Sequence, residues 1–228
     1  MAGEMVSFPS NGATASGYLS APAGRKGPGV VVIQEWWGLV PHIKSIADRL
    51  AGEGFLALAP DLYHGRSTKS PDEAGKLMMA MNIDQAERDL AGAIRFLKEH
   101  ASNSTGKVGT VGFCMGGALS LYAASRNRDV SACVVFYGGH PKVHPDLRSL
   151  AAPVLGLYAE KDGFVTVALV RELEARLKQL GKPHEFHIYP KVDHGFFNDE
   201  RPEVYDRTAA ADAWKRTVGF FRQHQAGS

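Results

Sequence analysis

Residues 107–118 read KVGTVGFCMGGA and join a short apolar strand to a helix-like segment. At their centre, Gly112-Phe113-Cys114-Met115-Gly116 has the small-x-nucleophile-x-small pattern of a nucleophile elbow, with cysteine in place of the commoner serine. In so tight a turn, side chains at positions 112 and 116 would collide with neighbouring backbone. The free N–H groups at the start of the helix face the sulfur and favour the reactive thiolate. The segment predicts that Cys114 is a nucleophile; the alternative is a buried thiol in a glycine-rich turn.

The composition is that of an ordinary globular protein, and we expect residues 1–228 to form one domain. A net charge of +2, with both signs interspersed, gives no reason to expect nucleic acid or a membrane as a partner. The N-terminal residues lack the layout of a secretory signal, and the two cysteines do not suggest a disulfide scaffold. We therefore expect a cytoplasmic monomer that acts on a small molecule, with no metal and no cofactor.

The rest of the chain alternates between strand-like and helix-like segments. An antiparallel hairpin at a sheet edge is predicted for residues 5–8 and 16–20, with Asn11-Gly12 between them. Further strands are predicted at residues 29–34, 55–59, 107–113, 131–137, 153–158 and 184–189. Helices are predicted at residues 41–53, 70–81, 84–100 (with Asp84 as the cap), 118–124, 165–180 and 203–223. This alternation predicts an α/β fold, a mainly parallel central sheet with helices on both faces.

Four candidate functional side chains follow predicted strands directly, namely Glu35, Cys114, Asp162 and His194. Ligands of parallel sheets bind beyond the carboxyl ends of the strands, so these side chains are expected to meet. A cysteine nucleophile needs a base, and the base needs a partner that fixes its tautomer. The order cysteine, aspartate, histidine is that of the triad in the α/β-hydrolase fold.

An alternative role is open for Asp162, and the chain contains a second candidate acid and a second cysteine. Asp162 could simply cap the helix that follows it. Asp193 is the neighbour of His194, but adjacent residues usually point apart, so it is a poor orienting acid. Cys133 lies in the middle of a strand and is interpreted as an inert core thiol.

The loop after the first parallel strand reads Gln34-Glu35-Trp36-Trp37-Gly38. In this fold that loop donates one N–H to an oxyanion hole, and the residue after the nucleophile donates the other. The expected donors are the backbone N–H groups of Trp36 and Met115. The role of the Glu35 carboxylate is not explained by spacing, because it would repel an oxyanion. The two tryptophans either pack as core or lid, or contact substrate.

At these residues the sequence resembles the dienelactone hydrolases (carboxymethylenebutenolidases). The matching stretches are Gln34-Glu35-Trp36-Trp37-Gly38, Ala59-Pro60-Asp61-Leu62-Tyr63, Gly112-Phe113-Cys114-Met115-Gly116-Gly117, Ala159-Glu160-Lys161-Asp162 and His194-Gly195-Phe196. The resemblance implies a lactone or small-ester hydrolase that uses Cys114, His194 and Asp162 through a thioester. It also implies that Glu35 keeps the resting thiol neutral until a substrate displaces it.

The same resemblance implies substrate contacts. Members of the family bind a substrate carboxylate with two arginines. Arg66 fits the first position with a one-residue shift. The second position, after the histidine, holds Phe197-Asn198-Asp199, and the nearest candidate, Arg201, is out of register. Tyr137 matches an active-site tyrosine, and Trp37 is a further candidate contact.

Two alternative functions remain beside the leading one. A broad-specificity carboxylesterase of the same fold would prefer simple aryl esters to carboxylated lactones. A redox-sensing thiol protein would use Cys114 without hydrolysis, although a sensor needs no acid–histidine pair. An amidase-like cysteine fold fits less well, because no acid closely follows His194.

Overall fold

A computed structural model of the chain describes residues 3–227, in which eight strands form one sheet. The strands are β1 (Glu4–Ser10), β2 (Ala13–Ser20), β3 (Gly27–Ile33), β4 (Leu56–Pro60), β5 (Asn103–Phe113), β6 (Val130–Phe136), β7 (Val154–Ala159) and β8 (His184–Tyr189). Their order across the sheet is β1-β2-β4-β3-β5-β6-β7-β8. All eight predicted strands are thus present. The largest change in bounds is at β5, which begins four residues before the predicted start at 107.

The hairpin at the start of the chain forms one edge of the sheet. β1 and β2 pair antiparallel from Glu4↔Leu19 to Ser10↔Ala13. Asn11 and Gly12, between them, both have positive φ (41° and 87°), as the favoured two-residue hairpin turn requires. β2 also pairs antiparallel with β4, and the pairs from β4 through β8 are parallel. The predicted edge hairpin on a mainly parallel sheet is confirmed.

Helices cover both faces of the sheet. They are α1 (Pro41–Gly52), α2 (Pro71–Ala80), α3 (Ile83–Glu99), α4 (Met115–Arg126), α5 (Val167–Gln179) and α6 (Arg207–Gln225). On one face, the Arg49 guanidinium of α1 lies 4.2 Å from the ring of Trp214 in α6. On the other face, α3 packs on α4, and Leu121 of α4 lines a common cavity with Leu173 of α5. The α/β prediction is confirmed. Within residues 3–227, no helix is both long enough and apolar enough to cross a membrane.

Two neighbouring central strands place the candidate residues. After β3 the chain adds β4 on one side, and from β5 onwards it adds strands on the other side. Such a reversal leaves a crevice beyond the carboxyl ends of the two strands, which is where α/β sheets bind ligands. The residues from Val30 to Ile33 are completely buried, as their apolar run indicates. Glu35 follows β3, and Cys114 follows β5, so both reach this crevice.

Capping side chains account for two helix starts that differ from the sequence predictions; α4 also begins three residues early, at Met115, and α5 two residues late, at Val167. Asp84 does not cap α3; the side chain of Asn82 accepts a hydrogen bond from the Gln85 N–H at 3.1 Å instead. α6 begins at Arg207 rather than at 203, because Asp206 accepts the Ala209 N–H at 2.8 Å and fixes the first turn there. Both corrections reflect side-chain capping, which the apolar periodicity of a helix does not report.

Candidate active site

The turn that carries Cys114 is strained and depends on its glycines. Cys114 has φ 55° and ψ −120°, a conformation that is rare for residues other than glycine and is found mostly at functional sites. A Cβ on Gly112 would lie 1.8 Å from the carbonyl oxygen of Gly116. A Cβ on Gly116 would lie 2.3 Å from the carbonyl oxygen of Ile33. Both positions therefore exclude any side chain, as the elbow pattern predicts.

His194 is oriented by a buried carboxylate. Its Nδ1 lies 2.6 Å from Oδ2 of Asp162, and the Asp162 side chain is 1% exposed. The other carboxylate oxygen accepts the N–H groups of Phe164 and Val165, each at 2.8 Å. Asp162 thus shapes the turn before α5 and also fixes the imidazole. It does not cap α5, because the capping residue is Thr166, whose hydroxyl accepts the Leu169 N–H at 3.4 Å. With Nδ1 engaged, Nε2 is free to exchange a proton with a neighbour.

His194 and Asp162 each stabilise the charged form of the other. Burial disfavours the imidazolium form of His194, but the hydrogen bond with Asp162 and the neighbouring Cys114 sulfur outweigh it and raise the pKa of His194 to about 10. Burial likewise opposes ionisation of Asp162, but hydrogen bonds from His194 and from two backbone N–H groups lower the pKa of that carboxyl. No hydrogen bond of standard geometry joins the Cys114 sulfur to the imidazole in the part of the chain that the structure describes. His194 is therefore set to carry a proton near neutral pH.

This charge state predicts a pH dependence of stability. Because the pKa of His194 rises from 6.5 to about 10 on folding, its stabilising contribution is complete below pH 6.5 and is lost as the pH rises through about 10. We expect the urea midpoint of the wild type to fall over this interval more steeply than that of His194→Asn. Equal slopes for the two proteins would contradict the raised pKa. Asp162 has the opposite effect at acid pH. Because folding lowers the pKa of this carboxyl, its stabilising contribution is lost as the pH falls through that pKa.

Glu35 is a buried carboxylate whose partner comes from the far end of the chain. It is 3% exposed, and its Oε2 accepts a hydrogen bond from Nδ2 of Asn198 at 2.7 Å. Beside it lies Tyr137, which is completely buried and has no hydrogen-bond partner of standard geometry among residues 3–227. Burial, together with the charges of Glu35 and Cys114, raises the pKa of Tyr137 and keeps its hydroxyl protonated. Asn198 is a residue that sequence reasoning did not assign.

The cavity at this point has a volume of about 230 Å³. Its walls are mainly aromatic and apolar, with the thiol and the imidazole exposed to the same space. The lining residues are Glu35, Trp36, Trp37, Met78, Cys114, Phe164, His194, Gly195 and Arg201. The cavity therefore joins the predicted nucleophile, base and carboxylate in one space, and both tryptophans line it.

Arg201 is the arginine that lines the cavity. Its guanidinium lies 5.6 Å from the ring of Trp37, and its Nε donates to Glu203 at 2.8 Å. Arg201 reaches the site although its position in the sequence does not match that of the family's second arginine. The reason is a turn after His194, in which the Arg201 N–H donates to the Asn198 carbonyl at 3.1 Å and the segment folds back. A linear comparison of spacing cannot detect such a turn.

Two predicted substrate contacts lie elsewhere. Arg66 lines a neighbouring cavity of about 180 Å³, and its side chain is 65% exposed and 3.5 Å from Glu73. Tyr137 does not line the cavity that contains Cys114, although its ring centroid is 4.9 Å from that of His194. The structure therefore does not bring Arg66 to the thiol, and it places Tyr137 against His194 and beside Glu35 without lining the cavity.

Two backbone N–H groups are available near the thiol. Met115 is the first residue of α4, so its N–H has no partner within the helix. The N–H of Trp36, in the loop after β3, makes no hydrogen bond with another of the described residues. Both are thus free to donate to a bound oxygen.

Comparisons with known proteins identify the family of this chain. Residues 15–225 match the model of the dienelactone hydrolase family. A protein of Aquifex pyrophilus named Protein usf is 41% identical over 97% of this chain and 99% of its own length. A protein of Aquifex aeolicus that carries carboxymethylenebutenolidase as a provisional name is 37% identical over the same shares of the two chains.

Solved structures show the same relationship. The crystal structure of a provisionally named dienelactone hydrolase from Klebsiella pneumoniae superimposes with a TM-score of 0.87 and 30% identity, over 97% of this chain and 98% of its own. Sequence and fold thus agree over nearly the whole length. The chain belongs to the dienelactone hydrolase family and is a carboxylic ester hydrolase with the α/β-hydrolase fold.

Proposed function

We propose that the chain hydrolyses a lactone or small ester through a thioester on Cys114, with His194 and Asp162 completing a triad. The observation that carries the proposal is the 2.6 Å contact of His194 with Asp162, in a cavity into which the strained Cys114 also opens. A redox sensor needs only a reactive thiol, so the oriented imidazole favours hydrolysis over sensing. If Cys114 formed a sulfenic acid with peroxide while no ester was cleaved, sensing would be the better account.

The proposed reaction has two halves. The Cys114 thiolate attacks the carbonyl carbon, and the N–H groups of Trp36 and Met115 hold the oxygen that becomes negative. The bond to the leaving oxygen then breaks, and the imidazolium of His194 gives that oxygen its proton. In the second half, His194 takes a proton from water, the water oxygen attacks the thioester, and the carboxylic acid and the thiolate are released. The raised pKa of His194 favours its role as the acid of the first half.

Glu35 is proposed to control the thiol before substrate arrives. It lies in the same cavity as Cys114, and the amide of Asn198 holds one of its oxygens at 2.7 Å. Its second oxygen is therefore free to interact with the thiol. A substrate that enters the cavity would have to displace this carboxylate before the sulfur could attack.

Glu35→Ala is expected to make the resting thiol more reactive. We expect iodoacetamide to alkylate Cys114 about tenfold faster in this variant, because loss of one hydrogen bond to a charged group has an effect of this order. Peptide mass mapping without substrate measures the rate. Cys133 is the internal control, since it is completely buried and should stay unlabelled in both proteins. An unchanged rate of alkylation at Cys114 would contradict the proposal that Glu35 controls the thiol.

The proposed substrate carries a carboxylate. Arg201 lies at the wall of a cavity that is otherwise mainly aromatic, and it approaches Trp37 face-on. An anion bound at this guanidinium would orient the ester carbonyl toward Cys114. A broad carboxylesterase, in contrast, would gain nothing from a cation at this position.

Arg201→Ala is expected to lower kcat/KM for a carboxylated lactone about 10- to 100-fold and to change that for p-nitrophenyl acetate little, because only the former loses a charged hydrogen bond. Steady-state kinetics with dienelactone and the aryl ester measures the two effects. Arg66→Ala is the matched control and should affect neither substrate, since Arg66 lines the other cavity. Equal losses for both substrates in Arg201→Ala would favour the carboxylesterase alternative.

A further inference from the structure

The sheet ends on one side at β8, and the outer edge of this strand has free backbone groups. The Val154 N–H donates to the Pro183 carbonyl, and the Glu160 N–H donates to the Tyr189 carbonyl. The backbone groups of successive residues in a strand point to opposite sides, so residues of this odd-numbered set bond to β7. The N–H and C=O groups of residues 184, 186 and 188 therefore face away from the sheet, and no loop among residues 3–227 bonds to them.

The opposite edge of the sheet, at β1, is protected. Pro9 lies in β1 and has no N–H to donate, which is one way in which proteins prevent an edge strand from pairing. α3 also packs closely on β1, since a Cβ on Gly92 would lie 2.4 Å from the Pro9 carbonyl oxygen. β8 contains no proline, and none of its six residues is fully buried. β8 is therefore the edge at which another strand can be added.

The two faces of β8 differ in chemistry. Phe186 and Ile188 lie on one face, and both are partly exposed. Glu185 and His187 lie on the other face, 2.5 Å apart, with side chains that are 53% and 27% exposed. A strand that extends the sheet must bring apolar side chains to the first face and groups complementary to a carboxylate and an imidazole to the second. A second copy of β8 has both.

Two copies related by a two-fold axis would place their β8 strands antiparallel. Residues that face outward must meet each other, so the axis passes through residue 185, 186 or 187 if most of the strand is to pair. An axis at Glu185 puts two carboxylates opposite each other, and an axis at His187 puts two imidazoles opposite each other. An axis at Phe186 places Glu185 of each copy opposite His187 of the other and brings the two Phe186 rings together. Only this register pairs all the outward residues.

We propose that two copies of the chain associate through β8, antiparallel about a two-fold axis at Phe186, so that their sheets join into one. This dimer takes the place of the monomer that we expect from composition. The shared edge is short, so the dimer is expected to dissociate at about micromolar concentration. No residue of β8 lines the cavity that contains Cys114, so each active site is complete within one copy. Activity is therefore independent of the association.

Cysteine cross-linking tests the register. In a Cys114→Ala background, Phe186→Cys should form a covalent dimer under mild oxidation, because hydrogen-bonded partners have Cα atoms about 5.5 Å apart, within the range of a disulfide. Glu185→Cys and His187→Cys should cross-link at least about tenfold more slowly, since their matching Cα atoms would lie roughly 8 Å apart. Cys133 is completely buried and should not react. Faster cross-linking at 185 or 187 than at 186, or none at any position, would overturn the proposal.

Sedimentation equilibrium measures the association without cross-links. Phe186→Pro removes an outward N–H but no bond to β7, so it should leave a folded monomer at concentrations at which the wild type is a dimer. Glu185→Lys and His187→Glu should each weaken the dimer about tenfold by removing the complementary pairs, and the double variant should restore it to within about threefold. Glu4→Lys makes the same charge change at the β1 edge and should have no effect.

Three results would contradict the dimer. They are a wild type that stays monomeric at about 100 μM, a Phe186→Pro variant that associates like the wild type, and a double charge variant that is no tighter than the two single ones. Circular dichroism, together with an unchanged kcat/KM for p-nitrophenyl acetate in Phe186→Pro, shows that loss of association is not loss of the fold.

Discussion

Cys114→Ala is expected to lower kcat/KM for p-nitrophenyl acetate at least about 10⁴-fold, because it removes the sulfur that forms the proposed covalent intermediate. Cys114 is 9% exposed and stands on the tight turn between β5 and α4, so truncation to alanine removes the sulfur without disturbing the packing. Steady-state kinetics measures the loss, and thermal unfolding followed by circular dichroism shows that the fold is kept.

Cys133→Ala is the matched control for this loss. Cys133 is completely buried in β6, and its sulfur lies 3.4 Å from the Ser120 hydroxyl. Burial raises the pKa of its thiol to about 11, so it stays protonated and unreactive near neutral pH. This variant should keep its activity and lose some stability. Full activity in Cys114→Ala would show that another residue is the nucleophile.

His194→Asn is expected to reduce kcat/KM about 10³-fold or more, because it removes both the acid of the first half-reaction and the base of the second. Asp162→Asn should also lower kcat/KM, since the 2.6 Å hydrogen bond that fixes the imidazole would be altered. The losses are not additive: the double variant Cys114→Ala, His194→Asn should be no slower than Cys114→Ala alone.

His187→Asn serves as the control for the histidine. His187 lies in β8 beside Glu185 and does not line the cavity, so its replacement should leave the rate unchanged. A pH–rate profile adds a second readout, because the ionisation seen in the wild type should vanish in His194→Asn. A profile that is the same in both proteins would assign the ionisation to another group.

The fold was predictable because its signals are local. Buried parallel strands read as continuous apolar runs, as Val30 to Ile33 show, and the Asn11-Gly12 pair fixes the edge hairpin. The elbow was predictable for the same reason, since Gly112 and Gly116 exclude side chains within a single turn. Strand ends in a parallel sheet then meet by topology alone, which accounts for the prediction that Glu35 and His194 share a crevice with Cys114.

What could not be predicted depends on contacts between distant residues. Asn198 holds Glu35 across 163 positions of sequence, and no local pattern reports such a pair. Arg201 reaches the cavity because a turn folds the chain back, whereas Arg66, which the family resemblance indicated with a one-residue shift, turns toward Glu73. Substrate contacts are thus set by loop geometry, which varies more freely than the strands that support it.

The central claim, that Cys114 carries the acyl group during turnover, is tested most directly by trapping that group. The enzyme is mixed with p-nitrophenyl acetate, quenched in acid during the first turnover, and digested for peptide mass mapping. The account predicts one acetyl group on the peptide that contains Cys114, formed at the rate of nitrophenolate release and missing from Cys114→Ala. An acetyl group that forms at that rate on any other residue, or that forms equally in Cys114→Ala, would contradict it.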